Sequence, residues 1–408
     1  MVPNGWSLKL ISDTAKVITG NTPSTKDSSY YNGDIPFVSP ADLGANKLIS
    51  SANKTLTKKG FDKSRAVRKG STLFTCIGST IGKLGQANCE LATNQQINAV
   101  IPYSSFDDDF IYYQLEMRAK FISKLAGTQA VPIINKTTFE SQNLLVPDSL
   151  PEQRKIAKIL STWDKAIATT EQLIATSQQQ KKALMQQLLT GKKRLLNPET
   201  GKVFEGDWEE VKLGDVLTKI SNGLTYDSKA TQGLPVSRIE TISTGKVNHA
   251  KVGYAPNDEK TIKFKLQFGD ILYSHINSLE HIGRVAYFLD DKDLYHGMNL
   301  LLLRASKDAD SKFIYFMLSS SLGKEFARSH AKSAVNQASI STTDLKGFKA
   351  KLPGLGEQQK IASVLTAADK EIELLEAKLT RLKEEKKALM QQLLTGKRRV
   401  KVDTTETA

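Results

Sequence analysis

The run Lys-Lys-Ala-Leu-Met-Gln-Gln-Leu-Leu-Thr-Gly-Lys occupies residues 181–192 and returns unchanged at residues 386–397. Extending the comparison outward, Glu152–Leu195 aligns with Glu357–Val400 without a gap, 205 residues later, and 23 of 44 positions are identical. A match of that length within one chain is an internal duplication. In the second copy, apolar residues fall at Ile361, Leu365, Ile372, Leu375, Leu379, Leu382, Leu389 and Leu393, the alternating four-and-three spacing of a coiled-coil seam. The first copy keeps the seam as Ile156, Leu160, Trp163, Ile167, Ile174, Leu184 and Leu188, with Thr170 and Ser177 in place of leucines. Lys181 and Lys386 interrupt it at equivalent positions, where a lysine more often fixes register than binds a partner. Ser149 and Glu152 have capping-box spacing, Pro151 suits a first helical turn, and Gly191 and Gly396 suit left-handed C-caps. Each copy therefore reads as a helix of about 40 residues, roughly 60 Å long at about 1.5 Å per residue. Neither is expected to be stable without a partner.

The stretches outside the helices echo one another more faintly. Trp6 and Trp208 open them, Gly33–Ser39 is shadowed by Gly233–Ser237, and Ile81-Gly82-Lys83 by Ile282-Gly283-Arg284. Short apolar runs at Ser71–Ile77, Ile97–Ile101, Asp270–Tyr273 and Leu300–Leu303 read as strands, and Ile111–Leu125 and Phe313–Arg328 as helices. The expected division is a globular module over 1–150, a spacer helix over 151–195 and a Pro- and Gly-bearing linker over 196–207. A second module over 208–353, a second spacer helix over 356–400 and a tail over 401–408 complete it. The fold class is α+β: two mixed α/β modules separated by two long helices that form an antiparallel coiled coil, with a pseudo-two-fold internal repeat. Antiparallel pairing would throw the modules to opposite ends of the rod, related as the halves of a dimer are.

A chain of 408 residues with 39% hydrophobic and 25% charged residues is that of a folded protein with room for two cores. No apolar stretch approaches the roughly 18–20 residues needed to cross a bilayer, and Met1–Ile11 lacks the apolar run of a secretory signal. A cytoplasmic protein is expected. Cys76 and Cys89 are too few for a disulfide framework and read as reduced core thiols. The formal net charge of +14 favours a polyanionic partner, with nucleic acid ahead of an acidic membrane face.

Catalytic chemistry is hard to find. Gly78–Lys83 has three residues between its glycines and Leu84 after its lysine, so it reads as a turn between strands rather than a phosphate loop. An amine methyltransferase would be expected to hold a flipped base with a Pro-Pro-aromatic segment, and the chain has no Pro-Pro pair. Asp107-Asp108-Asp109 and Asp290-Asp291 read as polar turns rather than metal sites. The five histidines, at 249, 275, 281, 296 and 330, all lie in the second module without metal-site spacing. No catalytic residue and no metal site is expected.

What remains is charge. Residues 47–83 carry nine cations against Asp62 alone, a local +8. The candidate DNA contacts are Lys54, Lys58, Lys59, Lys63, Arg65, Arg68, Lys69, Ser79 and Lys83 in the first module, and Arg238, His275, Asn277 and Arg284 in the second. Lysines would meet phosphates and polar loop residues would read base edges. The rival reading is a duplicated coiled-coil adaptor that assembles proteins without sequence-specific DNA binding.

Leu150–Leu160, its partner Gly356–Leu365, the two LMQQLLTGK endings, Gly33–Val38 and Asn94–Ala99 resemble the specificity (S) subunit of type I restriction-modification enzymes. The resemblance covers the whole chain, although Met298-Asn299 stands where the first module has its Asn-Gln-Gln run. It implies a non-catalytic subunit whose modules are target recognition domains, each reading half of an asymmetric bipartite site in double-stranded DNA. It further implies assembly with two methylation (M) subunits and with restriction (R) subunits. S-adenosylmethionine, ATP and magnesium would then belong to those partners, with no cofactor in this chain and no membrane association.

Overall fold

The computed structural model describes residues 2–127, 130–289, 291–334 and 337–402. Asp290 of the paired aspartates and residues 403–408 of the tail lie outside the described residues. The two long helices span Leu150–Leu188 and Leu355–Leu393, 39 residues each. Both end before the sequence-based limits of 195 and 400, because Gly191 (φ +69°) and Gly396 (φ +65°) turn the chain out of the helix. Residues six positions apart then close the turn, Lys193 N–H donating to Gln187 O and Arg398 N–H to Gln392 O. The chain divides into two compact units, residues 1–171 with 377–408, and residues 172–376. The units thus cut across the linear division into modules and helices: each holds one globular head, the first part of one long helix and the last part of the other.

Within unit 1, Glu152 lies opposite Arg399, Asp164 opposite Lys386 and Glu171 opposite Lys383, so the helix segments run antiparallel. Unit 2 repeats the arrangement with Ser177 opposite Glu371, Lys181 opposite Asp369 and Arg194 opposite Glu357. The outer seam residues enter the head cores. Ile156, Leu160 and Leu393 join Trp6, Phe74, Phe110 and Phe139 in unit 1, and Leu188, Ile361 and Leu365 join Phe313, Phe316 and Leu345 in unit 2. Each fully buried large side chain of this kind contributes about 1.5–3 kcal/mol, so the helix segments hold to the heads by their apolar faces. The Thr170 interruption is buried and its hydroxyl donates to Ala166 O at 2.8 Å, which removes the cost of an unpaired polar group in the seam.

The heads share a frame. In unit 1, strands Ala15–Thr19, Ile97–Pro102, Thr72–Thr75, Leu84–Ala87 and Leu48–Ile49 lie in that order, antiparallel except at the last pair. A second sheet orders Lys54–Leu56, Tyr31–Val38, Leu91–Thr93 and Ala66–Val67, and Trp6–Leu10 pairs with Asn143–Pro147. Unit 2 keeps the first sheet as Leu217–Asn222, Leu301–Ala305, Ile271–Tyr273 and Val285–Tyr287, and pairs Glu209–Lys212 with Lys349–Leu352. Its second sheet is reduced to Leu234–Val236 with Gly253–Ala255, and a three-stranded sheet of Ile276–Asn277, Gln337–Ser339 and Lys332–Ala334 is added.

Several local expectations are corrected. The helix expected over Phe313–Arg328 is two helices, Ser311–Ser319 and Ser321–His330. Ser320 between them is extended (ψ 178°) and its hydroxyl oxygen accepts from Leu322 N–H, capping the second helix. Its counterpart in unit 1 runs Asp108–Ser123 unbroken. Asp107-Asp108-Asp109 is therefore a helix start rather than a polar turn, with Asp107 accepting from Phe110 N–H at 2.9 Å. The capping box at Ser149 is half-made: Ser149 Oγ accepts from Glu152 N–H at 3.4 Å, but the Glu152 carboxylate turns to Arg399. Cys76 is buried, whereas Cys89 is half-buried rather than core. The 196–207 linker folds back on itself, bridging Leu196 to Val203.

Candidate nucleic-acid interface

The basic stretch of unit 1 is less free than its sequence implies, because carboxylates distant in the chain fold onto it. Arg68 forms a two-pronged pair with Asp108, both N–O distances 2.7 Å, and also donates to Pro102 O. Lys47 meets Asp109 at 2.7 Å, Lys58 meets Asp62 at 2.8 Å and Lys59 meets Asp27 at 3.4 Å. Arg65 donates through its guanidinium to Thr19 O at 2.6 Å and holds Asn21 through its backbone N–H. By contrast Lys54, Lys63, Lys69 and Lys83 are exposed, and among the described residues their ammonium groups have no carboxylate partner. Ser79 is exposed on the turn between Thr72–Thr75 and Leu84–Ala87, where Gly78 (φ +98°) and Gly82 (φ +92°) reverse the chain. Positive φ at both glycines explains why a glycine-rich segment stands there.

The second head is corrected more strongly. His275 is buried at 8% exposure, and burial pushes its pKa down to about 4. A neutral, buried imidazole is not an exposed reader of base edges. His296 is likewise buried and held down to about 4, first by burial, while one ring nitrogen lies 2.9 Å from Leu300 O. Asn277 closes its own turn, donating to Ser274 Oγ and accepting from Ser278 N–H. The Arg284 guanidinium donates to Ser243 O, and Arg238 lies 3.4 Å from Glu240. Among the described residues, no group of three or more His, Cys, Asp or Glu side chains could hold a metal ion.

A cleft of about 1420 Å³ opens in unit 1 between the head and the helix segments, lined by Lys69, Lys83, Asp109, Glu116, Asp164, Lys165 and Lys386 among others. Its floor is a charge network. Lys386 reaches Asp164 at 2.7 Å and Glu116 at 3.0 Å, while Tyr113 OH donates to Asp164 at 2.5 Å and accepts from Lys47 at 2.9 Å. Burial opposes the Lys386 charge, but Glu116 and Asp164 outweigh it and raise its pKa above the ordinary lysine value. Lys386 thereby ties the helix segment Leu355–Leu393 to both the Asp164 helix and the Glu116 helix of the head, as a register-fixing lysine would.

Sequence reasoning missed the clamps at the helix ends. Arg399 grips Glu152 at 2.7 and 2.8 Å, and Arg194 grips Glu357 at 2.7 Å through two nitrogens. Both glutamates are nearly fully buried. The adjoining glutamines are equally fixed: Gln153 donates to Pro147 O and accepts from Asp107 N–H, and Gln358 does the same with Pro353 O and Asp310 N–H. The signal was present in the repeat, since the Glu-Gln pair and an arginine 42 residues after that glutamate recur at the same 205-residue offset, each arginine meeting the glutamate of the other copy.

The family model described as the type I restriction modification DNA specificity domain matches residues 3–177 and 205–384. The putative type I restriction enzyme MjaX specificity subunit of Methanocaldococcus jannaschii is 43% identical over 202 residues, 48% of this chain and 47% of that protein. That match spans about half of the relative's length. The type I restriction enzyme MjaVIII specificity subunit of the same organism is 28% identical over 415 residues, covering 98% of this chain and 94% of that one. Among solved structures, the S subunit of a type I restriction-modification system from M. genitalium has the same fold, with a TM-score of 0.62 at 15% identity over 96% of this chain and 97% of that chain.

Proposed function

This chain belongs to the type I restriction modification DNA specificity family, and on that premise we propose that each head reads one half of an asymmetric bipartite site in duplex DNA. The observation that carries the reading is the contrast inside one chain: two units keep the same helix clamps while their heads differ in loops, charge and sheet content. A conserved frame holding two unlike readers suits a site with two unlike halves. Lys54, Lys63, Lys69 and Lys83, exposed and without carboxylate partners among the described residues, suit phosphate contact on the first half.

The long helices set the gap between the half-sites and dock methylation subunits, and restriction subunits join the full assembly. Chemistry, with S-adenosylmethionine, ATP and magnesium, resides in those partners, and this chain itself is not catalytic. The gap supplies the test. Inserting four residues, about 6 Å of helix, near the unit boundary of either long helix should shift the preferred gap by one or two base pairs at about 3.4 Å each. Sequencing of methylated adenines in cells carrying the chain with its methylation partner reads the gap directly. Both half-sites at an unchanged spacing would defeat the ruler.

A further inference from the structure

The two heads carry a structurally equivalent pair of segments whose frame is the same and whose exposed chemistry is not. In unit 1 the turn over residues 76–81 leaves strand Thr72–Thr75 and returns at Gly82, whose N–H donates to Thr75 O at 3.1 Å. In unit 2 the turn over residues 275–282 leaves strand Ile271–Tyr273 after Ser274 and returns at Gly283, whose N–H donates to Ser274 O at 2.8 Å. Each turn is held from outside by the segment leading into a short helix much later in the chain. Ile134 N–H donates to Cys76 O at 2.8 Å, and Ile340 N–H donates to His275 O at 2.9 Å. The pairing continues as a bridge between Ile77 and Ile133 in unit 1, and as Ile276 with Ser339 and Asn277 with Ala338 in unit 2.

On this shared frame the exposed residues diverge. Unit 1 presents Val131 (56% exposed) and Ile133 (47% exposed) on either side of Pro132, whose carbonyl accepts from the N–H of Gly78, next in sequence to the exposed Ser79. The turn of unit 2 is two residues longer and presents Ser278 and Glu280 around Leu279, with Gln337 and Ser339 exposed on the supporting strand. Beneath it, the buried His275 Nδ1, His281 Nδ1 and Tyr273 OH have no hydrogen-bond partner among the described residues. Main-chain bonds fix the turns while these exposed side chains remain available, which is the division of labour that base reading needs.

We propose that these two-segment platforms are the specificity-determining surfaces, the platform of unit 1 meeting thymine methyl groups and hydroxyl-accessible edges, that of unit 2 meeting the exocyclic amines of adenine and cytosine. The proposal rests on the reading that the heads recognise DNA. Its chemistry follows from the groups displayed: apolar side chains suit the thymine methyl, a glutamine pairs with adenine, and a carboxylate accepts from the cytosine amine. Lysine and arginine elsewhere on the heads then position the duplex without choosing its sequence.

The test uses the full chain expressed with its methylation partner in cells without adenine methylation, and maps methylated adenines genome-wide. The double variant V131S/I133S should relax or change one half of the recovered motif, and E280A/Q337A the other half only. At the affected position, methylation of non-cognate sequences should rise roughly tenfold relative to cognate ones. All four side chains are exposed, so the substitutions leave the cores untouched; the single variants S79A and E280Q repeat the measurement with smaller changes. A motif identical to that of the parent in every variant overturns the proposal, as does a uniform fall in methylation with the motif intact, which would mark the platforms as protein-docking surfaces. Recovery of no bipartite motif from the parent chain would instead defeat the underlying function, and so the two failures are distinguishable.

Discussion

At the head-to-helix junction of unit 1, Lys386 sits between Asp164 and Glu116 over the ring of Tyr113, and in unit 2 Lys181 pairs with Asp369 over the ring of Phe316. The lysine, the aspartate and the aromatic ring are common. Ser319 stands where Glu116 does, and Phe316, lacking the hydroxyl, cannot make the bond that Tyr113 gives to Asp164. Gln114 likewise donates to Leu145 O and to Leu394 O in unit 1, where unit 2 has Met317 in its core. At this junction the same apolar frame is therefore tied by a polar network in one unit and by packing around the Lys181–Asp369 pair in the other. Polar networks fix one geometry closely but leave costly groups behind when a member is lost, whereas packed apolar contacts tolerate change.

Acid should separate the units most. Both strongly depressed histidines, His275 and His296, lie in unit 2, and unit 1 contains no histidine. Their folded pKa values near 4 lie below the unfolded value near 6.5, so between these values the unfolded state binds more protons. Unit 2 stability is full above about pH 6.5 and falls as pH drops toward 4, by up to about 3 kcal/mol for each histidine. Hydrogen exchange measured across that window should show unit 2 opening first, and His296→Gln should narrow the gap. Equal loss of protection in both units would remove the histidines as its cause.

The arginine clamps come next and should act alike. Arg399→Ala strands the buried Glu152 and Arg194→Ala strands the buried Glu357, each costing about 1–3 kcal/mol at neutral pH, less than a fully buried pair would because the arginines are partly exposed. Denaturant unfolding of the two variants tests whether the equivalence is energetic as well as geometric. A cost below about 1 kcal/mol in either would show that its clamp behaves as a surface pair.

Smallest is the hydroxyl itself. Tyr113→Phe removes the bonds to Asp164 and Lys47 and should cost about 1 kcal/mol, making unit 1 resemble unit 2. The reciprocal Phe316→Tyr should bring no gain unless its hydroxyl reaches Asp369, and thermal melting of both distinguishes a network effect from a packing effect.

How much of this was legible in the sequence varies with distance along the chain. The seam, the C-terminal glycines and the core strands around Phe74, Ile97, Tyr273 and Leu302 depend on short-range periodicity and turn chemistry, and could be read directly. Ser320 defeated that reading, because an apolar run with a favourable helical pattern continues on both sides of a single serine whose hydroxyl caps the next turn. At the candidate interface, Lys54, Lys63, Lys69 and Lys83 are exposed as a basic surface would have them. Arg68, Lys47 and Lys59 are tied to Asp108, Asp109 and Asp27, which counting charge within a window cannot reveal. His275 was similarly opaque: the polar residues after it suggest a surface turn, while its own side chain points into the fold.

The amino-acid sequence alone determined the duplication, the two long helices and their seam, since an uninterrupted 12-residue identity and a four-and-three apolar spacing are properties of the chain itself. Only the tertiary structure decided that Glu152 clamps Arg399 rather than capping its own helix, that the two compact units each draw on both helices, and that residues 76–81 and 130–134 form one surface. Those outcomes depend on groups many residues apart competing for the same partner, and the winner is set by burial and geometry that exist only once the chain has folded.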